Sequence, residues 1–223
     1  MNSYKNTKAY WDTVFEHFNR PFPEDISTNI PVLDETILSV GKQNMNALDF
    51  GFGSGMVLLM LATHYTGTFT GIELSPKACD LATRLFNHYG IETATFIEGS
   101  FEHLKTIEDD TLDTFIASNI LDNITKTDAQ KLIEEAHRVL KPGGKMLVKL
   151  NDYYTDAQVK ALKLKPLSDN FYEEPSGLYL YNLEDHRWKQ LFAKYFYILN
   201  NVTFDMPQAN AKNRLFVLKK NIE

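Results

Sequence analysis

A glycine-rich loop between an apolar run and a helical segment constrains the fold of this chain most strongly. Residues 47–62 read ALDFGFGSGMVLLMLA, with glycine at positions 51, 53 and 55. A strand that enters such a loop and a helix that leaves it are typical of a nucleotide-binding βαβ unit. Gly51 would allow the sharp turn, and Gly53 would let a ligand approach the backbone near the helix N-terminus. The alternative is a tight strand-to-helix turn without a ligand.

Strand and helix patterns alternate around this loop. Apolar runs predict strands at 46–50, 67–74, 93–99, 111–121 and 145–150, and helical spacing predicts helices at 55–65, 75–90 and 125–140. Ser75 and Pro76 are typical of a helix start, and Gly90 of a helix end. Strands that alternate with helices pair in parallel through right-handed crossovers. We therefore expect a sheet with helices on both faces.

The flanking segments extend this core into one domain, residues 1–223. Helical spacing at 7–18 and 30–40 predicts a helical cap over 1–41, followed by a core over 42–150. The tyrosine-rich stretch 151–183 exceeds an ordinary connection and predicts a pocket insert. Residues 184–223 predict a helix and two strands that no helix separates, so these strands should be antiparallel. The expected fold is an α/β three-layer sandwich whose mostly parallel seven-stranded sheet ends in an antiparallel pair.

Composition limits the partners of such a domain. A hydrophobic content of 43% and an aromatic content of 13% are enough for a sizeable core. The net charge of -6 and the scattered basic residues predict no nucleic-acid partner. The single cysteine, Cys79, predicts a reducing compartment and no metal site. Because no signal peptide or membrane span is recognisable, we expect a soluble, cytoplasmic protein with no membrane partner.

Glu73 indicates which class of ligand the glycine loop would bind. It ends the next predicted strand, about 20 residues after the loop, where an acidic side chain binds ribose hydroxyls in doubly wound folds. A dinucleotide site would want glycine or alanine at position 56, where this chain has Met56. A nicotinamide-dependent oxidoreductase is therefore an alternative, disfavoured by Met56 and by the expected antiparallel strand pair.

Together these motifs resemble the class I methyltransferases, Rossmann-like enzymes that use S-adenosylmethionine. Asp49 with its alternating glycines matches their first motif, and Glu73 in GIELSP matches the second. The segment RVLKPGGKMLVKL is similar to the helix, turn and strand that the family has at its fifth strand. The resemblance covers residues 45–150 in order. It implies that S-adenosylmethionine is the cofactor and contacts the following residues: Tyr10, Trp11, Asp49, Gly51, Gly53, Gly55, Glu73, Leu74, Ser100, Phe101 and Asn119.

The resemblance also implies a role for each part of that site. The backbone at Gly51 and Gly53 would meet the amino-acid portion, and Glu73 the ribose. Leu74 and Phe101 would pack on the adenine, with Ser100 at its edge, where the family commonly has Asp or Asn. The region of Asn119 would lie beneath the sulfonium, and the aromatic residues of the helical cap would lie across the cofactor.

Methyl transfer from a sulfonium requires positioning rather than a protein nucleophile or a metal. A general base helps an amine or hydroxyl acceptor, and the candidates at strand ends are Asp122, Asn151 and Asp152. Tyr153 and Tyr154 of the insert are predicted to contact the substrate. The absence of nucleic-acid-methylating and Pro-Cys motifs favours a small-molecule acceptor, ahead of a protein side chain. A cofactor-binding pseudoenzyme or sensor is the alternative from another class, and the oligomeric state is open.

Overall fold

A seven-stranded sheet with helices on both faces forms the body of the molecule. The computed structural model describes residues 4–18, 21–206 and 211–221. The helices are α1 (Lys5–Glu16), α2 (Pro31–Ser39), α3 (Met56–His64), α4 (Pro76–His88), α5 (Phe101–Leu104), α6 (Lys126–Val139), α7 (Asp156–Ala161) and α8 (Asp185–Phe192). The strands are β1 (Met45–Phe50), β2 (Gly67–Glu73), β3 (Ala94–Glu98), β4 (Leu112–Ser118), β5 (Leu140–Asn151), β6 (Lys165–Ser168), β7 (Phe171–Glu173), β8 (Tyr179–Tyr181), β9 (Phe196–Met206) and β10 (Ala211–Lys220).

The order of the main sheet confirms the predicted fold. The strands lie in the order β3-β2-β1-β4-β5-β10-β9. The first five pair in parallel, whereas β10 is antiparallel to both β5 and β9. Since the chain order reverses between β1 and β4, the carboxyl ends of these two strands flank a crevice at a topological switch point.

Alternating side chains of the central strands supply two separate cores. Phe115 of β4 and Val148 of β5 pack on one face with α6 and α8. Ile116 and Leu147, one residue away along each strand, pack on the other face with α2 and α3. This two-residue period, with apolar side chains on both faces, explains why these strands are continuous apolar runs.

Local sequence explains where the helices begin. The Ser75 hydroxyl accepts the N–H of Ala78 at the start of α4, directly before Pro76. Thr125 accepts the N–H of Asp128 in the same way at the start of α6. The end of α6 differs from the expected boundary, because β5 begins at Leu140 and includes the Lys-Pro-Gly-Gly turn.

The insert is more ordered than its composition indicates. Residues 151–183 contain helix α7 and a three-stranded antiparallel sheet in the order β6-β7-β8, neither of which the sequence analysis predicted. The ring of Phe171 contacts those of Tyr179 and Tyr181, and Tyr181 packs edge-on against Trp188 of α8. Tyr181 therefore joins the insert to a helix that packs on the main sheet. Within the described ranges, no helix is long and apolar enough to cross a membrane.

Candidate functional site

A cavity of about 350 Å³ opens at the carboxyl ends of the central strands. Its walls come from the cap, the glycine loop, the segments after β2, β3 and β4, and the inner surfaces of β5 and β10. The residues that line it include Tyr4, Trp11, Thr28, Leu33, Ile37, Gly51, Gly53, Glu73, Leu74, Ser100, Phe101, Asn119, Ile120, Leu147, Lys149, Leu178 and Leu215. The lining is mainly apolar, with a few polar groups, as in most sites for small ligands.

The glycine loop has a backbone that other residues would adopt only under strain. Gly51, Gly53 and Gly55 have φ values of +75°, +56° and +83°, all in the left-handed region. A Cβ atom on Gly51 would lie 2.1 Å from the Cδ1 atom of Ile120. Glycine at this position therefore lets the loop after β4 approach the loop after β1.

Glu73 joins this loop to the end of β2. Its Oε2 atom accepts the N–H of Gly53 at 3.1 Å, and its Oε1 atom accepts the N–H groups of Leu74 at 2.7 Å and Ser75 at 3.2 Å. Glu73 is only 8% exposed, and burial raises the pKa of its carboxyl group although these three hydrogen bonds oppose the change. The turn that supplies these N–H groups therefore encloses the carboxylate.

Two further carboxylates near the site are fully buried. Neither oxygen of Asp49 has a hydrogen-bond partner among the described residues, and burial raises its pKa, with a further increase from Glu73. Asp122 accepts the N–H of Asn151 at 2.6 Å through Oδ2, while its Oδ1 atom has no partner in the described part of the chain. Burial raises the pKa of Asp122 to about 6.

Asparagine side chains connect the ends of β4, β5 and β10. Asn119, which has a left-handed φ of 55°, donates from Nδ2 to the Oδ1 atom of Asn151 at 3.1 Å. Its backbone N–H bonds to the carbonyl of Lys149 at 2.7 Å, and its carbonyl accepts Asn123. Asn213 of β10 donates to the Oδ1 atom of Asn119 at 3.4 Å. This network holds a strained residue in place beside the cavity.

Helix α1 covers the cavity through polar contacts that the sequence did not reveal. Tyr4 lines the cavity, and its hydroxyl donates to Asp128 at 2.5 Å. Lys8 donates to the carbonyl of Leu74 at 2.7 Å, and Asp12 accepts the hydroxyl of Ser75 at 2.6 Å. Tyr4 and Lys149 are two of the polar cavity residues that the sequence did not predict. A tyrosine near the start and a lysine inside an apolar run are too common to stand out.

The structure gathers most of the predicted cofactor residues around this cavity. The lining includes Trp11, Gly51, Gly53, Glu73, Leu74, Ser100, Phe101 and Asn119. The other three lie outside it: Tyr10 is 37% exposed on the outer side of α1, Asp49 is buried, and Gly55 is the residue that precedes α3. Their roles towards a cofactor stay predictions.

The predicted acceptor residues lie away from the cavity. Asp122, Asn151, Asp152, Tyr153 and Tyr154 are all absent from its lining. The backbone of Tyr154 is bonded to the side chain of Asn182, at 2.9 Å and 2.7 Å, which fixes it to the insert instead. The insert reaches the cavity through Leu178. No group of three or more described His, Cys, Asp and Glu side chains could hold a metal ion.

Comparisons with known proteins agree with this geometry. Residues 47–144 match the model of a family described as "Methyltransferase domain". The chain is 34% identical over 119 residues to the sterol 4-C-methyltransferase strm-1 of Caenorhabditis elegans, a match that covers 52% of this chain and 35% of the relative. It is 21% identical over 211 residues to the tRNA(Thr) (cytosine(32)-N(3))-methyltransferase of Saccharomyces cerevisiae, covering 90% of this chain and 33% of the relative. The chain thus spans about a third of the length of these two relatives.

A solved structure shares the fold. It is a complex of the 1,6-didemethyltoxoflavin-N1-methyltransferase of Burkholderia thailandensis with 1,6-didemethyltoxoflavin and S-adenosylhomocysteine. The TM-score is 0.66 at 14% identity, and the superposition covers 96% of this chain and 88% of the other.

Proposed function

We propose that this chain, whose residues 47–144 match the model of a methyltransferase domain, is a class I S-adenosylmethionine-dependent methyltransferase that methylates a small molecule in the cavity at the carboxyl ends of the central strands. The observation that carries the proposal is the position of this cavity. The glycine loop, Glu73 and the segment after β3 converge on it from three adjacent strands of the matched domain. Ligands of open α/β sheets bind at this place, beyond the carboxyl ends of the strands.

The residues present fit the proposed cofactor. An ionised carboxylate has about four acceptor positions. Because Glu73 uses three of them for backbone N–H groups, its Oε2 atom retains one for a ribose hydroxyl. Ser100 makes no side-chain capping bond to α5, so its hydroxyl is free to serve the edge of an adenine. Phe101 and Leu74 supply apolar surface beside it.

The chain's contribution to the reaction would be mainly positioning. When bound, S-adenosylmethionine would supply an electrophilic methyl group on a positively charged sulfur. A lone pair of the acceptor would bond to that carbon as the carbon–sulfur bond breaks and its electron pair stays on sulfur. The asparagine network around Asn119 and the covering helix α1 would hold the two reactants in line. An acceptor N–H or O–H would then lose its proton to water or to a base.

The lining of the cavity favours a small acceptor over a polynucleotide. Among the described lining residues, Lys149 is the only lysine or arginine, whereas nucleic-acid sites neutralise several phosphates with basic side chains. The net charge of -6 adds unfavourable repulsion of a phosphate backbone.

One specific observation favours a second candidate, a nucleoside in RNA. The yeast tRNA methyltransferase aligns with 90% of this chain, whereas the sterol methyltransferase aligns with 52%. We rank this candidate second because of the cavity charge. In either case the matched relatives are much longer than this chain, so their acceptors do not transfer directly.

The proposal is tested by binding first and by transfer second. Calorimetry with S-adenosylmethionine, S-adenosylhomocysteine and NAD should give heat for the first two ligands only. Incubation with methyl-labelled S-adenosylmethionine and two acceptor pools, a metabolite fraction and purified tRNA, should then label the metabolite fraction.

Each other outcome has its own meaning. Label in tRNA alone would replace the first candidate by the second. Cofactor binding without label in any pool would support the sensor, and binding of NAD alone would reject the proposal.

A further inference from the structure

Lys149 is a half-buried cation that lines the cavity and has no ion-pair or hydrogen-bond partner among the described residues. It lies on β5, where its Cα pairs with Ser118 of β4 and Leu215 of β10. Among the residues that the structure describes, its ammonium group has no hydrogen-bond partner within 3.5 Å and no carboxylate within 4.0 Å. The nearest opposing charges are Asp122 and Asp49, whose field raises its pKa while the larger effect, burial, lowers it.

A buried arginine on the neighbouring strand provides a comparison, because its charge has a structural role only. Arg214 of β10 is 3% exposed, and its guanidinium donates to the carbonyls of Asn151 and Leu183, both at 2.8 Å, and to Asp185 at 3.0 Å. The protein itself therefore supplies the groups that compensate the charge of Arg214. In the described part of the chain Lys149 has no such partners, although a charge that is partly withdrawn from water is costly to leave uncompensated.

The wall around Lys149 is apolar. Leu147 precedes it by two residues on β5 and so shares its side of the strand, and Leu215 lies opposite on β10. Leu33 and Ile37 of α2 complete this part of the lining. We call these four leucine and isoleucine residues, together with Lys149, the Lys149 wall. Most of the residues expected to hold the cofactor come instead from β2, from the segment after β3 and from the glycine loop, although Asn119, which follows β4, is also expected to contact it.

We propose that Lys149 binds a carboxylate group of the methyl acceptor, and that this acceptor is a small organic acid with an apolar body. The inference rests on the proposed function, because it names the acceptor of that same cavity. A carboxylate would compensate the ammonium in a low-dielectric site, and the Lys149 wall would enclose the apolar body. A single ammonium matches one negative charge, whereas phosphate sites generally use arginine forks or several N–H groups.

The carboxylate of the cofactor's own amino-acid portion is the other possible source of this charge. Helix α3 begins at Met56, directly after the glycine loop, and a helix N-terminus favours a negative group. The cofactor carboxylate therefore has an alternative partner on the β1 side of the cavity. For this reason we assign Lys149 to the acceptor.

The test uses hexanoate and benzoate as probes, with hexanamide and benzamide as uncharged analogues. Each is titrated by calorimetry into the protein alone and into its complex with S-adenosylhomocysteine. We expect at least one carboxylate to bind about tenfold more tightly than its amide, the scale of a charge-assisted pair. Lys149→Met should abolish this preference, Lys149→Arg should retain part of it, and the affinity for S-adenosylhomocysteine should change less than about twofold.

Lys145→Met is the matched control. Lys145 lies four residues earlier on the same side of β5, but its ammonium bonds to the carbonyl of Ser39 at 2.6 Å, outside the cavity. This variant should keep the carboxylate preference. The thermal midpoint of Lys149→Met should stay level or rise, because the substitution removes a desolvated charge, so a loss of binding would not reflect unfolding.

Two results would overturn the inference. One is equal affinity for acid and amide, or no binding of either acid, in the unmodified protein. The other is a loss of S-adenosylhomocysteine affinity in Lys149→Met with the carboxylate preference intact. That result would show that Lys149 binds the cofactor and not the acceptor. Failure of S-adenosylhomocysteine to bind the unmodified protein would instead reject the proposed function, and the titrations of the protein alone would still decide the role of Lys149.

Discussion

The glycine-loop side and the β5 side of the cavity differ in how the protein compensates a charge that is largely withdrawn from water. On the first side, three backbone N–H groups within 3.2 Å surround the carboxylate of Glu73. On the second, the ammonium of Lys149 has no partner of this kind in the described chain. The difference separates a site that is preorganised by its own backbone from one that needs a ligand to complete it.

This difference follows from how the partners are distributed along the chain. Glu73 is bonded to its two successors and to Gly53, all within one βαβ unit. The groups near Lys149 come from β1, β4, β10 and α2, which only the tertiary fold brings together. We therefore expect substitutions on the first side to change cofactor affinity and stability together, and substitutions on the second to change acceptor binding more than stability.

The largest effect is expected for Gly51→Ala. The new methyl group would meet Ile120 at 2.1 Å on a backbone of φ +75°, so we expect a loss of about 3 kcal/mol in the free energy of unfolding and a severe loss of cofactor binding. Gly90→Ala is the control, because Gly90 has φ +68° but no atom within 4 Å of the added methyl. It should cost about 1 kcal/mol in urea denaturation. Equal losses in the two variants would remove the close approach of the two loops as the cause.

Glu73→Ala should have the next largest effect. Three backbone N–H groups lose their acceptor, so we expect cofactor affinity to fall by about 1.5 to 3 kcal/mol and stability to fall as well. Glu98→Ala provides the comparison, since Glu98 ends the adjacent strand β3 but is exposed and pairs with Lys8 at 2.9 Å. If calorimetry gives both variants the affinity of the unmodified protein, Glu73 does not hold the ribose.

Asp122→Asn should change how the stability of the protein depends on pH. Burial raises the folded-state pKa of Asp122 from 3.8 to about 6, so the folded protein binds the proton more tightly than the unfolded chain. This contribution to stability is present below pH 3.8 and is lost as the pH rises through about 6. Relative to the unmodified protein, the asparagine variant should gain about 2 kcal/mol between pH 4 and pH 7 in denaturant titrations. Parallel curves for the two proteins would show that Asp122 does not titrate in this range.

The smallest effects are expected in the insert. Leu178→Ala removes a cavity side chain and should weaken acceptor binding a few-fold, with cofactor affinity within about twofold of the unmodified protein. Tyr153→Ala changes a half-buried ring outside the cavity and should alter stability by less than about 0.5 kcal/mol. Should Tyr153→Ala impair methyl transfer more than Leu178→Ala, the substrate role predicted for Tyr153 would be favoured over the cavity assignment.

The sequence by itself determined the elements of the main sheet and their order along the chain. Strand and helix periods, the cap at Ser75 and the missing helix before β10 predicted the seven-stranded sheet and its antiparallel end. These features are readable because period, capping and connection length are local properties. The glycine loop and Glu73 were recognisable for the same reason, since their mutual contacts lie within one βαβ unit.

Only the tertiary structure decided which side chains meet at the cavity. Tyr4 and Lys149 line it, whereas Tyr10 and Tyr153 do not, and no local pattern distinguishes these cases. The face that a helix residue presents depends on how α1 is held by Lys8 and Asp12, and the environment of Lys149 depends on strands far apart in sequence. The enclosure of Glu73 was likewise decided only by the fold, because its exposure depends on how the turn around it is arranged.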